Sequence, residues 1–114
     1  MQRMAYLRKE DETVEIAYSL GKVWTAIQKV LSNLGWNIEQ LDETARRVKA
    51  KTKAGPMSWG SILLIDAKPI DEKTTRLVVA SETPVTTIMA IIDSRQGKRR
   101  ILQFFGELAK QLAA

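Results

Sequence analysis

The residues of this chain that could act as acids or bases are carboxylates, lysines and tyrosines. The 114-residue sequence contains no histidine and no cysteine, which excludes Ser-His and Cys-His nucleophile pairs and imidazole or thiolate metal ligands. Alternation places Asp66 and Glu82 on one face of a predicted hairpin, near Arg76. If Leu64 lies opposite Ala80, these two carboxylates are too far apart in register to act as a pair, which favours ordinary surface ion pairing. We therefore expect a protein that is not an enzyme and has no cofactor or metal site.

A basic cluster opens the last predicted helix and comprises Arg95, Lys98, Arg99 and Arg100. Cations near a helix N-terminus oppose the helix dipole, so one interpretation is that the cluster binds an anion such as phosphate together with free backbone N–H groups. The other is a solvated face balanced by Asp93 and Glu107, which we favour. The glycines at positions 55 and 97 lie in no G-x-G-x-x-G or G-K-[ST] motif.

Length and composition bound the architecture that must position these residues. A chain of 114 residues, 45% apolar and 27% charged, suits one globular domain with a single core. We expect residues 1–12 to be a mobile lead-in and 13–114 to be the domain.

No run reaches the roughly 18 apolar residues that a membrane helix needs, and the N-terminus lacks an apolar signal core, so we expect a cytoplasmic protein without a membrane span. The net charge of +5 suits nucleic acid or an anionic surface, and equally a domain kept monodisperse by its lysines.

The first half of the domain predicts a strand followed by a helix. Residues 13–19 alternate between apolar and polar side chains, which indicates a half-buried strand. Ser19 can cap the following helix and Gly35 can end it in the left-handed conformation. The apolar positions of that helix form one continuous stripe: Leu20, Val23, Trp24, Ile27, Val30, Leu31 and Leu34.

The remaining sequence predicts four strands and a final helix. Two strands cover 36–41, with Trp36 and Ile38 facing inward, and 45–53, with Val48, Ala50 and Thr52 on one side. A long hairpin follows, with strands over 58–69 and 74–83 joined by the polar turn Asp71-Glu72-Lys73. The segment 85–92 fits a strand or a helix, and Asp93 or Ser94 can cap the last helix. The apolar stripe of that helix comprises Ile101, Leu102, Phe105, Leu108, Ala109 and Leu112.

The order β-α-β-β-β-β-α predicts a two-layer α+β domain, with an antiparallel sheet and both helices packed on one of its faces. The sequence contains Leu34-Gly35-Trp36, Ser58-Trp59-Gly60, Pro69, Thr75-Arg76 and Asp93 before a basic helix start. With these residues and this order of elements, the chain resembles a group of small bacterial α+β domains, the TATA-binding-protein-like half-fold and the helix-grip fold of START and pollen-allergen domains. The resemblance covers residues 13–114 and implies a fold, with no particular activity.

The second face of the hairpin has an unusual composition. Alternation places Leu63, Ile65, Ala67, Leu77 and Val79 under the helices. The opposite face, which we call the open sheet face, then has an apolar centre of Ile62, Leu64, Val78 and Ala80. It also has a basic flank of Arg47, Lys49, Lys51 and Arg76. Either Tyr6, Leu7 or residues 85–92 fold over this centre, or it is a binding site, because exposed apolar patches commonly mark one.

Three functions are consistent with these features. The first, which we favour, is a non-enzymatic interaction module that forms a homo-oligomer or docks a protein partner through the open sheet face. The second is binding of a small apolar molecule between sheet and helices, as in helix-grip domains, which requires a cavity among Trp24, Ile38, Leu63 and Phe105. The third is weak nucleic-acid binding through the basic flank, which Asp66 and Glu82 on the same face would oppose. The tryptophans at 24, 36 and 59 are expected in the core, with Trp59 the one most open to exposure.

Overall fold

Five antiparallel strands and two helices form the part of the chain that the computed structural model describes, residues 6–52, 61–85 and 96–113. The elements are β1 (Tyr6–Ile16), α1 (Leu20–Leu34), β2 (Asn37–Asp42), β3 (Arg47–Lys51), β4 (Ile62–Asp71), β5 (Thr74–Val85) and α2 (Gln96–Ala113). This order and the α+β class are the predicted ones. The predicted strand start at 58–60 with Trp59, the ambiguous segment from 86 to 92, the capping residues Asp93 and Ser94, and Arg95 lie outside the described residues.

The sheet has the strand order β1-β5-β4-β3-β2. Strands β2 to β5 form the predicted meander. Strand β1 is added at the β5 edge and pairs with β5 along its whole length, from Tyr6 opposite Val85 to Ile16 opposite Thr75. The β4–β5 hairpin turns through Glu72 and Lys73. The Asp71 Oδ1 atom stabilises this turn by accepting a hydrogen bond of 2.8 Å from the Lys73 backbone N–H.

Strand β1 is longer than alternation indicated. It begins at Tyr6 and ends at Ile16, whereas the sequence predicted a strand over 13–19 after a mobile lead-in. The backbone of the charged stretch from Arg8 to Glu12 pairs with β5 as part of this edge strand, and edge strands commonly carry charged residues. The run of charged residues from 8 to 12 is therefore the reason why the sequence pattern did not predict the first half of the strand.

Helix α1 begins and ends where its capping residues predict. The Ser19 side chain accepts a hydrogen bond from the Lys22 backbone N–H, and Gly35 adopts a left-handed conformation with φ 72°. The Gly35 N–H donates to the Ser32 carbonyl, and the Trp36 N–H donates to the Leu31 carbonyl. These bonds satisfy carbonyls that would otherwise be left unpaired at the C-terminal end of the helix.

Both helices cover one face of the sheet, as predicted. The core between the two layers comprises Val23, Trp24, Ala26, Ile27, Val30 and Leu31 of α1, Trp36, Val48 and Ala50, Leu63, Ile65 and Ala67 of β4, Leu77 and Val79 of β5, and Ile101, Phe104, Leu108 and Leu112 of α2. The strand residues in this set alternate with residues on the open sheet face. The predicted inward face of the hairpin is therefore confirmed.

The buried stripe of α2 differs from the predicted one. Phe104, which the prediction omitted, is fully buried with 0% exposure, whereas Leu102 is 55% exposed. Ala109 is also exposed, and Phe105 is half-buried beside the core. The helix is rotated about its axis relative to the prediction because the sequence spacing defines an apolar stripe without defining which of its edges meets the sheet.

Strand β2 also departs from the prediction. Trp36 is buried, as expected, but Ile38 is 38% exposed. Every residue of β2 is exposed. This strand forms the edge of the sheet opposite β1, and its pairing with β3 shifts register between Ile38 and Gln40. Such irregularities are common in edge strands.

The turn between β2 and β3 is held against α1 by one tryptophan. The Trp24 Nε1–H donates a hydrogen bond of 2.9 Å to Glu43 Oε1. Arg46 pairs with the same carboxylate oxygen at 3.4 Å, and its guanidinium lies 5.6 Å from the centre of the Trp24 ring. Arg46 adopts φ 58°, a conformation that a non-glycine residue adopts at a cost, so these contacts help to keep the turn in place.

Candidate functional site

A cleft opens between the edge strand β1 and the C-terminal half of α2. We call it the β1–α2 cleft. It has a volume of about 440 Å³ and is lined by Val14, Glu15, Ile16, Tyr18, Phe105, Leu108, Ala109 and Leu112. Seven of these eight residues present aliphatic or aromatic side chains, so the cleft is suited to apolar groups.

The position of β1 explains why the cleft exists. Phe104 and Leu108 are buried in the core, whereas Val14 and Ile16 on β1 are only half-buried. Strand β1 is at the edge of the sheet, so no further strand of the described part of the chain supplies side chains to cover it. The inward side chains of β1 therefore meet α2 on one side and solvent on the other.

Hydrogen bonds fix the end of the cleft at Tyr18. The Thr75 hydroxyl donates to the Tyr18 carbonyl at 2.8 Å, and the Tyr18 N–H donates to the Ile16 carbonyl at 2.8 Å. The Lys22 Nζ atom lies 5.1 Å from the centre of the Tyr18 ring. The phenol of Tyr18 therefore provides a polar group at an apolar cleft, with a positive charge beside it.

The remaining polar residue of the cleft is engaged on the other side of the sheet. Glu15 pairs with Arg76 at 3.4 Å across the β1–β5 ladder. Of the residue types that the sequence left for acid–base chemistry, the cleft therefore presents the Tyr18 phenol and an ion-paired carboxylate. Within the described residues, no group of three or more His, Cys, Asp or Glu residues could hold a metal ion.

The open sheet face has the composition that alternation predicted. Leu64 lies opposite Ala80, Ile62 opposite Glu82 and Asp66 opposite Val78. The four residues of the apolar centre are adjacent to one another and each is half-buried. Three of them, Leu64, Val78 and Ala80, line an open groove of about 470 Å³ that extends across this face to Gln40 and Asp42.

The basic flank is divided by its ion pairs. Arg47 pairs with Asp66 at 3.4 Å, and Arg76 pairs with Glu15. Lys49 and Lys51 lie beside Arg47 on β3, opposite Leu64 and Ile62 of β4 respectively. The basic flank therefore consists of three side chains of β3 on one side of the apolar centre and of Arg76 of β5 on the other side.

Asp66 and Glu82 do not form a carboxylate pair. Their cross-strand partners on the hairpin are Val78 and Ile62, so they are separated by four positions along the sheet, or roughly 13 Å at about 3.3 Å per residue. This register agrees with the prediction that they do not act together. Neither carboxylate is among the residues that line the β1–α2 cleft.

The described part of the basic cluster opens α2. Lys98 and Arg99 are exposed and Arg100 is half-buried. Arg100 donates a hydrogen bond of 3.3 Å to Gln103 Oε1. Arg100 precedes Phe105, the first cleft residue of the helix, by five residues, or about 7.5 Å at 1.5 Å per residue. None of Lys98, Arg99 and Arg100 lines the cleft. No helix in the described ranges is long and apolar enough to cross a membrane.

Sequence reasoning placed the ligand cavity elsewhere. Of the four residues expected to surround it, only Phe105 lines the β1–α2 cleft. Trp24 and Leu63 are packed in the core, and Ile38 is exposed on β2. The useful signal was the inward face of β1 together with the stripe of α2. Both were recognised, but nothing local to either segment indicated that they meet.

The comparisons with solved structures establish the fold. The chain is similar to norcoclaurine synthase from Thalictrum flavum in complex with dopamine and hydroxybenzaldehyde, with a TM-score of 0.70 and 12% identity over 96% of this chain and 88% of that one. It is also similar to the Zhui aromatase/cyclase from Streptomyces sp. R1128, with a TM-score of 0.65 and 13% identity over 93% and 94% of the two chains. The fold is therefore helix-grip, as the sequence resemblance implied.

A third similar structure is a conserved protein from Geobacillus kaustophilus, with a TM-score of 0.56 and 16% identity over 93% of this chain and 95% of that one. No protein-family model matches the sequence, and no curated protein is detectably similar to it.

The prediction that the chain is not an enzyme is contradicted by these similarities. Norcoclaurine synthase and the aromatase/cyclase are enzymes, and both have the same fold as this chain. The absence of histidine and cysteine excludes particular nucleophiles and ligands. It does not separate this chain from enzymes that use the fold.

Proposed function

We propose that this protein binds a small amphipathic molecule with an apolar, aromatic or aliphatic body in the β1–α2 cleft. The observation that carries the proposal is the cleft itself, about 440 Å³ of space between sheet and final helix with an almost wholly apolar lining. Binding sites for small molecules occupy roughly 300–1,000 Å³ and combine apolar walls with few polar groups. The cleft has both properties.

The groove on the open sheet face fits such a ligand less well. It is similar in volume, about 470 Å³, but Asp42, Arg47, Lys49 and Asp66 line it. An apolar ligand placed there would take Lys49 out of water without offering it a polar partner, and it would also desolvate the Arg47–Asp66 ion pair, which is unfavourable. In the β1–α2 cleft, the same ligand would cover the half-buried side chains of Val14, Ile16 and Phe105.

The structures with the same fold support the choice of ligand class. Norcoclaurine synthase is described in complex with dopamine and hydroxybenzaldehyde, both small aromatic molecules with polar substituents. The second enzyme is an aromatase/cyclase. At 12% and 13% identity we carry over the general size and polarity of a ligand, and no reaction.

The charge near Tyr18 favours one kind of polar group on the ligand. Lys22 is not one of the lining residues, but its Nζ atom lies 5.1 Å from the centre of the Tyr18 ring. Glu15 is the charged residue among those that line the cleft. Because the Glu15 carboxylate is paired with Arg76, the positive charge of Lys22 is the less compensated one. We therefore expect neutral and anionic amphiphiles to bind more tightly than cationic ones.

The experiment measures binding of two fluorescent probes, neutral N-phenyl-1-naphthylamine and anionic 1-anilinonaphthalene-8-sulfonate. Ala109 is exposed and lines the cleft, so Ala109→Trp fills the cleft without removing a core side chain. Gln103→Trp places the same ring on an exposed part of α2 outside the cleft and is the matched control. We expect Ala109→Trp to weaken both probes by about tenfold or more, and Gln103→Trp to change them by less than about twofold.

Lys22→Gln tests the ligand's polar group. It removes the charge beside Tyr18, and it leaves the Ser19 cap intact because that bond uses the Lys22 backbone N–H. We expect weaker binding of the anionic probe and unchanged binding of the neutral one. Cooperative urea unfolding of each variant confirms that probe binding reports the native state. Equal probe affinities for Ala109→Trp and Gln103→Trp, with both proteins folded, would refute the proposal.

A further inference from the structure

A second opening lies between the two helices, and we call it the α1–α2 groove. It has a volume of about 350 Å³. Its lining residues come from the N-terminal half of α1 and the C-terminal end of α2: Lys22, Thr25, Ala26, Lys29, Gln111 and Leu112. Four of these six residues have polar or charged side chains, so the groove differs in chemistry from the apolar β1–α2 cleft.

Both charged residues that line the groove are cations. Lys22 and Lys29 are exposed on α1, and in the part of the chain that the structure describes neither of them forms an ion pair. Lys22 belongs to the first turn of α1, which contains no acidic residue, and the positive end of a helix dipole also favours an anion nearby. Thr25 and Gln111 add a hydroxyl and a carboxamide, which can both donate hydrogen bonds.

The negative charges beside the groove are already compensated. Glu107 precedes Gln111 by one helical turn, and it is paired with Lys110 at 3.5 Å. The negative end of the α2 dipole borders the groove, but the positive end of the α1 dipole borders it as well, so the two oppose each other. The two lysines therefore determine the sign of the charge in the groove.

The groove and the β1–α2 cleft meet at two places. Leu112 lines both of them. The Nζ atom of Lys22, which lines the groove, lies 5.1 Å from the centre of the ring of Tyr18, which lines the cleft. A molecule with its apolar body in the cleft can therefore place a polar head group in the groove.

Building on the proposed function of the cleft, we propose that its ligand is an amphiphile whose phosphate group binds in the groove between Lys22 and Lys29. These lysines are seven residues apart on α1, or about 10 Å at 1.5 Å per residue. A group midway between them, level with Thr25, is about 5 Å along the axis from each, which the flexible four-carbon stem of lysine can span.

The donors of the groove favour a phosphate over a single carboxylate. Two ammonium groups, a hydroxyl and a carboxamide come from four side chains, and a phosphate has enough acceptor oxygens to use all of them. The cleft extends along α2 from Phe105 to Leu112, about 10 Å at 1.5 Å per residue. We therefore expect an apolar body of similar length, such as an alkyl chain or linked aromatic rings.

The test is displacement of N-phenyl-1-naphthylamine by decyl phosphate and by decanol, which have the same alkyl chain. Lys29→Gln removes a cation of the groove that is absent from the cleft lining. Lys68→Gln, at an exposed position of β4 outside both openings, removes the same charge and is the matched control. We expect Lys29→Gln to weaken decyl phosphate by about three- to tenfold and decanol by less than about twofold. Lys68→Gln should change either affinity by less than about twofold, because salt screens remote charges.

A second variant introduces a negative charge without a change of size. Gln111→Glu places a carboxylate in the groove, and Gln103→Glu places one on an exposed part of α2 outside both openings. We expect Gln111→Glu to weaken decyl phosphate by about tenfold or more and to leave decanol within about twofold. Gln103→Glu should leave both within about twofold.

Three results would overturn this proposal. They are equal effects of Lys29→Gln and Lys68→Gln on decyl phosphate, equal weakening of decyl phosphate and decanol by Lys29→Gln, and displacement of the probe by inorganic phosphate as effectively as by decyl phosphate at the same concentration. Failure of the proposed function gives a different pattern, because Ala109→Trp would then bind decanol and the probe as tightly as Gln103→Trp does. The two proposals can therefore be distinguished.

Discussion

Phe104 and Phe105 are adjacent in sequence, yet the structure assigns them different roles. Phe104 is among the fully buried side chains of the core, whereas Phe105 is half-buried and lines the β1–α2 cleft. Phe104→Ala and Phe105→Ala delete the same atoms from neighbouring positions of one helix. Because the helix propensity of alanine enters both changes equally, it cancels in the comparison.

The magnitudes follow from burial. Phe→Ala in a well-packed core costs about 3–5 kcal/mol, which includes the cavity that remains. At Phe105 part of the side chain is already accessible to solvent, and the deleted volume opens into the cleft. We therefore expect about 1–2 kcal/mol there, from half or more of the transfer free energy of a buried phenylalanine. For a chain of this length the total free energy of unfolding is roughly 6–17 kcal/mol at about 0.05–0.15 kcal/mol per residue.

Urea unfolding followed by tryptophan fluorescence measures the difference, since Trp24 and Trp36 are buried in the core. With a slope of about 1.5 kcal/mol per molar urea, the midpoint should fall by about 2–3 M for Phe104→Ala and about 1 M for Phe105→Ala. The order should reverse for probe binding, where Phe105→Ala removes a cleft wall. Equal midpoints, or a larger loss of stability at Phe105, would refute the orientation of α2 on which the cleft depends.

Four further sets of substitutions test other parts of the fold by urea unfolding. Arg46 has φ 58°, so Arg46→Val should be less stable than Arg46→Gly by about 1–2 kcal/mol; equal stability would argue against the left-handed turn. Gly21→Ala meets no atom within 4 Å and should stabilise α1 by about 0.5–1 kcal/mol, whereas Gly35→Ala at the left-handed cap should cost about 1 kcal/mol. A shift of the same sign for both would contradict the capping geometry. Thr75→Val removes the hydroxyl that donates to the Tyr18 carbonyl and should cost about 1–2 kcal/mol. Ser81 Oγ is buried and has no hydrogen-bond partner in the described structure, so Ser81→Ala should be neutral or stabilising, and a loss above about 1 kcal/mol would show that Ser81 has a partner.

Elements whose determinants are close in sequence were predictable. Helix α1 was recognised with both ends because Ser19 and Gly35 act on backbone groups three or four residues away. The hairpin faces were recognised because side chains of a strand alternate with period two, whatever lies against them. The composition of the open sheet face followed from the same alternation, and the structure places its four apolar residues side by side.

Strand β1 and the stripe of α2 show where local pattern was insufficient. Residues 6–12 are too charged to suggest a strand, but β5 offers them a continuous hydrogen-bonding edge. Phe104 and Phe105 differ by about 100° around a helix, and each can belong to an apolar stripe. The contact of α2 with β5 and β1 decides which of them is buried, and that contact joins segments distant in sequence.

The residues that could act as acids or bases illustrate the same division. The sequence by itself determined which chemistry is available, since a chain without histidine or cysteine must use carboxylates, lysine or tyrosine. It also determined the secondary structure of most segments and their apolar faces, because these depend on side-chain period and on caps within one turn. Only the tertiary structure decided that Val14, Ile16 and Tyr18 lie across a cleft from Phe105 and Leu112. The physical reason is that β1 pairs with β5 at the edge of the sheet, where α2 covers it only in part.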